Sequence, residues 1–448
     1  MRRGLVVLLC LALWGGAAAA GPATLTADQM RVFGSEALAR GYADQALAIA
    51  GALLQRDPKD SLALTLKAQA LRMRGDLAAS EAAARAAWAV AQTEVARYGA
   101  ATALAQALSL QNHRTTAQYW LRQAVENAPN PGARAQAVQD FNYVRDQNPV
   151  SLQFDGSVRP SNNVNGGARD PLFEYQGIPF ILSGDALALS GYAFGFGVSG
   201  SYRLSDSGTV QNALTFAASQ QGVILSDKAR AQAPGATNGD YALGNVEAGW
   251  RRQATGDLGR LTTELSAGHS WYGGQDLANS ITGKIAFDHQ LSPTVTGSFA
   301  ASVTRQNRLD RPVSSSTDFG LDATLATRGP QGDNWQIGLN LSRVTSDDIG
   351  IDHHEAALQL GWQAAEPVAG LGLGASLSAR IADYAISPYT SNGRHDRRLS
   401  GSLTATLQRL TYLGFSPVLA LDVARNVSNV ALYDTETVGI SLSVKSRF

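Results

Sequence analysis

At 448 residues the chain is long enough for two or three domains. Its 37 Lys+Arg balance 37 Asp+Glu, which excludes a basic nucleic-acid binder and a polybasic membrane-surface protein. Charged residues are 17% of the chain, against about 25% in soluble domains, and 45 glycines with a mean hydropathy of -0.11 argue against a string of apolar helices. Residues 1–20, MRRGLVVLLCLALWGGAAAA, read as a signal peptide. Arg2 and Arg3 supply the basic start, Leu5 to Trp14 the apolar core, and Ala18 to Ala20 the small-residue cleavage site. The apolar run is short for a membrane helix, which needs about 20 residues. The one cysteine, Cys10, lies inside that run and not at the cleavage point, so a lipidated N-terminus is not expected. The mature chain then offers no disulfide, thiolate metal site or thiol nucleophile. No later run is apolar and long enough for a transmembrane helix.

Residues 21–148 form the first expected domain, a helical one. They are rich in Ala, Leu, Gln, Arg and Glu and repeat with a period of about 34 residues. In Ala27–Asp60, Gly34 and Ala46 supply the small residues that let two helices approach closely, and Pro58 stops the second helix. Ser61–Glu94 repeats the plan with Ala68 and an Arg74–Asp76 turn but no proline. Tyr98–Pro131 repeats it with Ala105, Ala117, Ala124 and Pro129, and a capping helix is expected over residues 133–148. This predicts an α-solenoid of tetratricopeptide-like helix pairs; a helical bundle without repeats is the alternative.

From Pro149 the period changes to two. Val295, Gly297, Phe299, Ala301 and Val303 alternate with Thr296, Ser298, Ala300, Ser302 and Thr304; Trp335–Ser342 and Leu399–Leu407 behave alike. Such runs predict strands near 150–158, 185–203, 209–221, 240–253, 259–272, 277–290 and 294–306. Seven more are predicted near 315–328, 334–346, 353–366, 371–385, 395–410, 415–427 and 435–448. Most are long enough to cross a bilayer at a tilt, for which about 9–11 residues suffice. Short turns such as Ser205–Gly208 and Gly329–Asp333 alternate with longer loops at 159–184, 222–239 and 386–394. One face is apolar, while Glu247, Glu264, Lys284, Asp288, Asp322, Arg380 and Lys445 fall on the other. Residues 149–448 therefore predict a 14-stranded antiparallel transmembrane β-barrel of the outer membrane of a Gram-negative bacterium, with the helical domain in the periplasm. A soluble β-sandwich would carry shorter strands and larger inward side chains. Arg343 is the exception, on the apolar parity near a strand end. A parity slip between Leu189 and Tyr192 predicts a bulge near Ser190–Gly191. Phe448 is expected to act as the C-terminal signal read by the barrel-insertion machinery.

No catalytic constellation emerges. Gly195–Gly200 matches GxGxxG by letter but lies inside a β run, where a phosphate cradle needs a strand-to-helix turn. Asp352-His353-His354-Glu355 resembles a metal cluster, but successive strand residues face apart. His269-Ser270 faces apart in the same way, so no Ser/His catalysis is expected. Arg394–Arg398 reads as a charged loop tip, solvated or touching lipopolysaccharide phosphates. No enzyme activity, cofactor or metal is expected.

An exported tetratricopeptide domain before such a barrel resembles the surface lipoprotein assembly modifier family. The specific part is a first strand, Ser151–Val158, leading into Pro160-Ser-Asn-Asn-Val-Asn165 and followed after a loop by a Gly-rich second strand at Ser183–Gly191. The resemblance implies an outer-membrane translocon that moves client lipoproteins, or related secreted proteins, from periplasm to cell surface. The helical domain would engage the client and the barrel would give passage. Asn162, Asn163 and Asn165 are expected at the outer rim, their amides satisfying loop backbone groups. Expected partners are the client, outer-membrane lipid, lipopolysaccharide and the insertion machinery; the chain is expected to be a monomer. The alternative is an exopolysaccharide export porin with periplasmic repeats, which should line its lumen with one sign of charge and with aromatic platforms; the polar-parity residues named above carry both signs and include no aromatics, which disfavours it. A passive diffusion porin leaves the repeats unexplained.

Overall fold

The computed structural model describes residues 25–175 and 177–446. The predicted signal peptide and Phe448 lie outside the described residues. The chain forms two compact units. One runs to Trp120 and includes Asn127–Pro129; the other comprises Leu121–Glu126 and the residues from Asn130 onward.

Seven helices occupy the predicted helical region: α1 Ala27–Ala39, α2 Ala43–Arg56, α3 Ser61–Met73, α4 Leu77–Val90, α5 Glu94–Leu110, α6 Arg114–Glu126 and α7 Pro131–Gln147. Their starts follow capping chemistry. Thr26 and Gln29 close a capping box on α1, Asp60 accepts from the Ala63 N–H on α3, and Thr93 accepts from the Ala96 N–H on α5. The small residues of the repeat are the packing surface: Ala46, Ala68, Ala105, Ala117 and Ala124 are all buried. A Cβ on Gly34 would lie 2.3 Å from the Leu66 side chain, so α1 meets α3 at a distance only glycine allows. Ser80 Oγ donates to the Ala68 carbonyl at 2.7 Å, so even the buried hydroxyl is satisfied.

The second unit is a closed barrel of fourteen strands. Its strands are β1 Val150–Ser161, β4 Gly191–Asp206, β5 Val210–Leu225, β6 Leu243–Gly256, β7 Gly259–Tyr272, β8 Gln275–Ser292, β9 Val295–Arg308 and β10 Ser316–Arg328. They continue with β11 Asn334–Ser346, β12 His353–Gln363, β13 Leu371–Tyr384, β14 Arg394–Leu407, β15 Phe415–Ser428 and β16 Thr435–Ser446. Each pairs antiparallel with its chain neighbour, and β1 closes on β16. A separate hairpin, β2 Leu172–Tyr175 and β3 Ile178–Ile181, stands in the loop predicted over 159–184, and a one-and-a-half-turn helix, α8 Asp227–Gln232, in the loop after β5.

Period-two alternation becomes two faces. Every barrel strand exposes large apolar side chains on one face, among them Phe194, Leu265, Ile285, Leu321, Leu360, Leu403, Leu421 and Ile440. Such a continuous apolar belt matches lipid, and closure leaves no lipid-facing edge in the ladders that pair fully. Trp335 and Trp362 pair across β11 and β12 with ring centroids 6.3 Å apart beside the turn rim, as in an aromatic girdle.

Three details depart from the sequence reading. The parity slip near Ser190 is no bulge: β4 starts at Gly191, and Leu189 is buried in a loop cluster with Val223, Leu225, Ala229 and Ala233. The register shifts lie at Arg203/Ser205, Ser270/Trp271 and Gln290/Ser292. The rims also differ less than expected, because β7 and β8 join on the long-loop side through Gly273-Gly274 alone. Both glycines have positive φ, 58° and 79°, the conformation a two-residue hairpin turn requires.

Candidate functional site: the barrel interior, its loop rim and its seam

The inward parity carries charges of both signs, several of which pair across neighbouring strands. Arg251 and Glu264 are register partners and form an ion pair across β6 and β7. Arg380 Nη1 reaches Glu355 Oε2 at 3.2 Å across β12 and β13. Asn340 Nδ2 donates to Asp322 at 2.8 Å, Ser298 Oγ to Asp288 at 2.6 Å, and Ser441 Oγ to Asp422 at 3.1 Å. The interior is thus polar, of mixed sign and cross-linked by hydrogen bonds, with no single-sign filter. Arg343, on the outward parity near a strand end, pairs with Asp352 at 2.7 Å, and Arg425, placed alike on β15, pairs with Asp434.

The loop rim holds an aromatic cluster that alternation did not reveal. Arg394 is buried, its guanidinium 3.4 Å from the Tyr384 ring centre and 3.8 Å from that of Tyr433, with Asp396 beside it at 3.3 Å. Tyr389 continues the cluster towards Tyr433 at 6.3 Å and meets Phe173 of β2 edge-on at 5.4 Å. The β2–β3 hairpin is thereby pinned to the ends of β13 and β14. Two sequence expectations change here. Arg394–Arg398 is not a loop tip but the start of β14, with Arg394 packed between Tyr384 and Tyr433. The inward side does carry aromatics at this rim, although their faces are occupied by Arg394 and by one another.

The expected rim asparagines are all held by backbone. Asn162 Oδ1 accepts from the Val438 N–H at 2.8 Å. Asn163, buried, donates to the Gly167 carbonyl at 2.9 Å and to that of Glu436 at 3.3 Å. Asn165 donates to the carbonyls of Asp185 and Leu187 and accepts from the Leu189 N–H. Asn162 and Asn163 therefore bridge the loop after β1 to β16, while Asn165 folds that loop on itself. Arg169 adds ion pairs to Asp434 at 3.5 Å and Glu436 at 3.9 Å, a contact that no local motif announces.

The residues weighed for chemistry do not converge. His353 Nδ1 lies 2.6 Å from the Ile351 carbonyl and its ring stacks on Tyr384 at 4.7 Å, while Asp352 and Glu355 are spent on Arg343 and Arg380. Among the described residues no group of three His, Cys, Asp or Glu is placed to hold a metal ion. His269 bonds Asn279 at 2.7 Å and Asp276 at 3.1 Å, whereas Ser270 Oγ points to the Ala278 carbonyl. Gly195–Gly200 runs straight through β4. Phe448 lies outside the described residues.

Comparison with known proteins gives one family. The family model described as Surface lipoprotein assembly modifier matches residues 262–448, and no curated protein matches. Among solved structures, the first TPR domain of human RPAP3 is 16% identical over 27% of this chain and 94% of its own, with a TM-score of 0.24. OccAB3 of Acinetobacter baumannii is 8% identical over 65% of this chain and 98% of its own, TM-score 0.34. OmpT of Vibrio cholerae is 8% identical over 67% and 98%, TM-score 0.36. Residues 151–191, which carry the sequence resemblance to that family, lie outside the matched range, so the match is independent of them. The fold is a closed fourteen-strand barrel, and the family model that matches its C-terminal part is one of surface lipoprotein assembly. Over residues 262–448, from within β7 through β16, this protein carries the pattern of the Surface lipoprotein assembly modifier family.

Proposed function

We propose that the protein delivers particular lipoproteins, or related secreted proteins, from the periplasm to the cell surface. The observation that carries this reading is the family match over β7–β16 on a chain whose N-terminal unit is a stack of helix pairs. Stacked helix pairs present a concave surface suited to an extended peptide, which gives that unit a role in holding the client on the periplasmic side. The barrel gives passage through the outer membrane, its apolar belt in lipid and its loops toward lipopolysaccharide. Insertion machinery would place it there. The mixed-sign interior and the occupied aromatic faces at the loop rim favour a polypeptide over a charged sugar polymer as the cargo.

The test is a deletion strain with two readouts. Protease shaving of intact cells measures which lipoproteins reach the surface, and extracellular polysaccharide is quantified in parallel. Loss of specific lipoproteins from the surface, with polymer unchanged, is the expected result. Loss of polymer with lipoprotein exposure intact overturns the reading in favour of a polysaccharide porin.

A further inference from the structure

The ladders of the barrel are not equally closed. On one flank β1 pairs with β4 at every residue from Val150 to Ser161. On its far side β16 pairs with β15 without interruption from Thr435 to Ser446. Between β1 and β16, among the described residues, the register holds only at Ser157↔Ser443, Val158↔Leu442 and Ser161↔Gly439. At Ser157↔Ser443, a pair without backbone bonds of its own, the ladder is carried by the flanking Gly156/Val444 and Val158/Leu442; it then breaks between Val158 and Ser161.

The cause of one gap is visible in the sequence. The Asn162 N–H donates to the Val438 carbonyl, so even-numbered residues of β1 turn their N–H toward β16. Pro160 falls on that parity and has no N–H to give, so the Ile440 carbonyl level with it receives nothing from β1. On the β4 side Pro160 costs nothing, because there its nitrogen points away.

Side chains close what the backbone does not. At the loop end Asn162 supplies the acceptor for Val438, Asn163 donates to Glu436, and Arg169 pairs with Asp434 and Glu436. At the turn end Arg122, within the barrel's unit, ties β16 to the β14–β15 connection and not to β1, donating to Ser446 Oγ at 3.0 Å and to the Leu413 carbonyl at 2.9 Å. A side-chain clasp thus holds the loop end of the shortest described ladder of the barrel, which lacks the backbone bond Pro160 cannot give.

We infer that the β1–β16 seam opens as the docking edge for an amphipathic β-strand of the transported polypeptide, which takes the place of β1 on β16; this rests on the translocation reading above. The occupant follows from the chemistry of the edge. In lipid an unpaired strand edge must be matched by alternating N–H and C=O groups at ladder spacing, which an acyl chain or sugar cannot supply. Val438, Ile440, Leu442 and Val444 face outward and are exposed, while Gly439, Ser441 and Ser443 face inward. The incoming strand must therefore alternate apolar and small polar residues, like the strands beside it.

A disulfide across the seam tests this. Ser157 and Ser443 are register partners on the inward parity, in a pair that does not exchange backbone bonds, where side chains lie closest. Ser157→Cys with Ser443→Cys locks the seam; Ser400→Cys with Ala424→Cys locks the fully paired β14–β15 ladder as the control. The readout is surface exposure of those lipoproteins whose exposure is lost on deletion. The expected result is loss in the oxidised seam variant to the deletion level, recovery on reduction, and no change in the control. A benzophenone side chain at Val444 should cross-link to the same lipoproteins. Normal exposure with the seam locked, equal loss in both disulfide variants, or cross-links to lipid alone overturns the inference while leaving the translocation reading standing. A deletion that alters no lipoprotein's exposure overturns both.

Discussion

Replacing Asp60 should destabilise the helical unit by an amount its two contacts set. The carboxylate caps α3 through the Ala63 N–H at 3.0 Å and accepts from Arg31 Nη2 at 2.6 Å, tying α3 to α1. Its side chain is 3% exposed and that of Arg31 27%. Loss of the cap costs about 1 kcal/mol. Loss of the partly buried partner costs about a further 1–2 kcal/mol, below the fully buried case because Arg31 keeps some solvent and Asp28. Asp60→Ala should therefore cost about 2–3 kcal/mol, and Asp60→Asn, which keeps a capping oxygen, about half. For a unit of this size each kcal/mol moves the midpoint by about 4–8 °C. The assay is thermal unfolding of the full chain in detergent followed at 222 nm, where helices dominate. Equal midpoints for the Asn and Ala variants would remove the cap from the argument, and unshifted midpoints in both would refute it. The pH dependence has a definite sign. Burial raises the Asp60 carboxyl, but Arg31 and the Ala63 N–H outweigh it and hold it below the usual range. Its contribution is therefore full above the unfolded carboxylate value, about 3.9, and is lost as pH falls from there through the lower folded value. In Asp60→Asn that acid-dependent loss should shrink.

Other substitutions probe the remaining contacts. Gly34→Leu should destabilise α1–α3 packing by roughly 1–3 kcal/mol, and adding Leu66→Ala should recover part of it, since the new side chain meets Leu66. Arg394→Ala removes the cation between Tyr384 and Tyr433, and limited proteolysis should then cut the 172–181 hairpin faster, with the barrel still folded. Asn162→Ala should lower the temperature at which the folded barrel loses its compact gel mobility, while Asn162→Asp, which keeps the acceptor for the Val438 N–H, should lower it less.

Much of this architecture was legible because it depends on local period. Ala46, Ala68, Ala105 and Ala117 could be read as a packing surface, since a helix returns to one face every 3.6 residues. The outward set at Val295–Val303 and the inward Glu264, Lys284 and Asp322 were readable by the rule of two. What depends on distant pairing was not. Phe173, Tyr389 and Tyr433 meet across some two hundred residues, and nothing near any of them signals the others. Arg394 looked solvated because five charged residues in a row normally are. Only the flanking rings make it buried. Pro160 was quoted as part of a motif, yet its effect on the seam requires knowing that its nitrogen faces β16. The zero net charge and low charge content also change meaning: the missing charge is the lipid-facing half of the barrel strands, and the charge that remains inside is of both signs.

The most direct measurement is a timed complementation. The full chain is induced in the deletion strain, and for each lipoprotein the protease-accessible fraction on intact cells is followed alongside its total amount. The account predicts that the accessible fraction of specific lipoproteins rises to the wild-type level while their totals stay constant. Totals that rise with the accessible fraction unchanged, or an extracellular polymer that returns in their place, would contradict it.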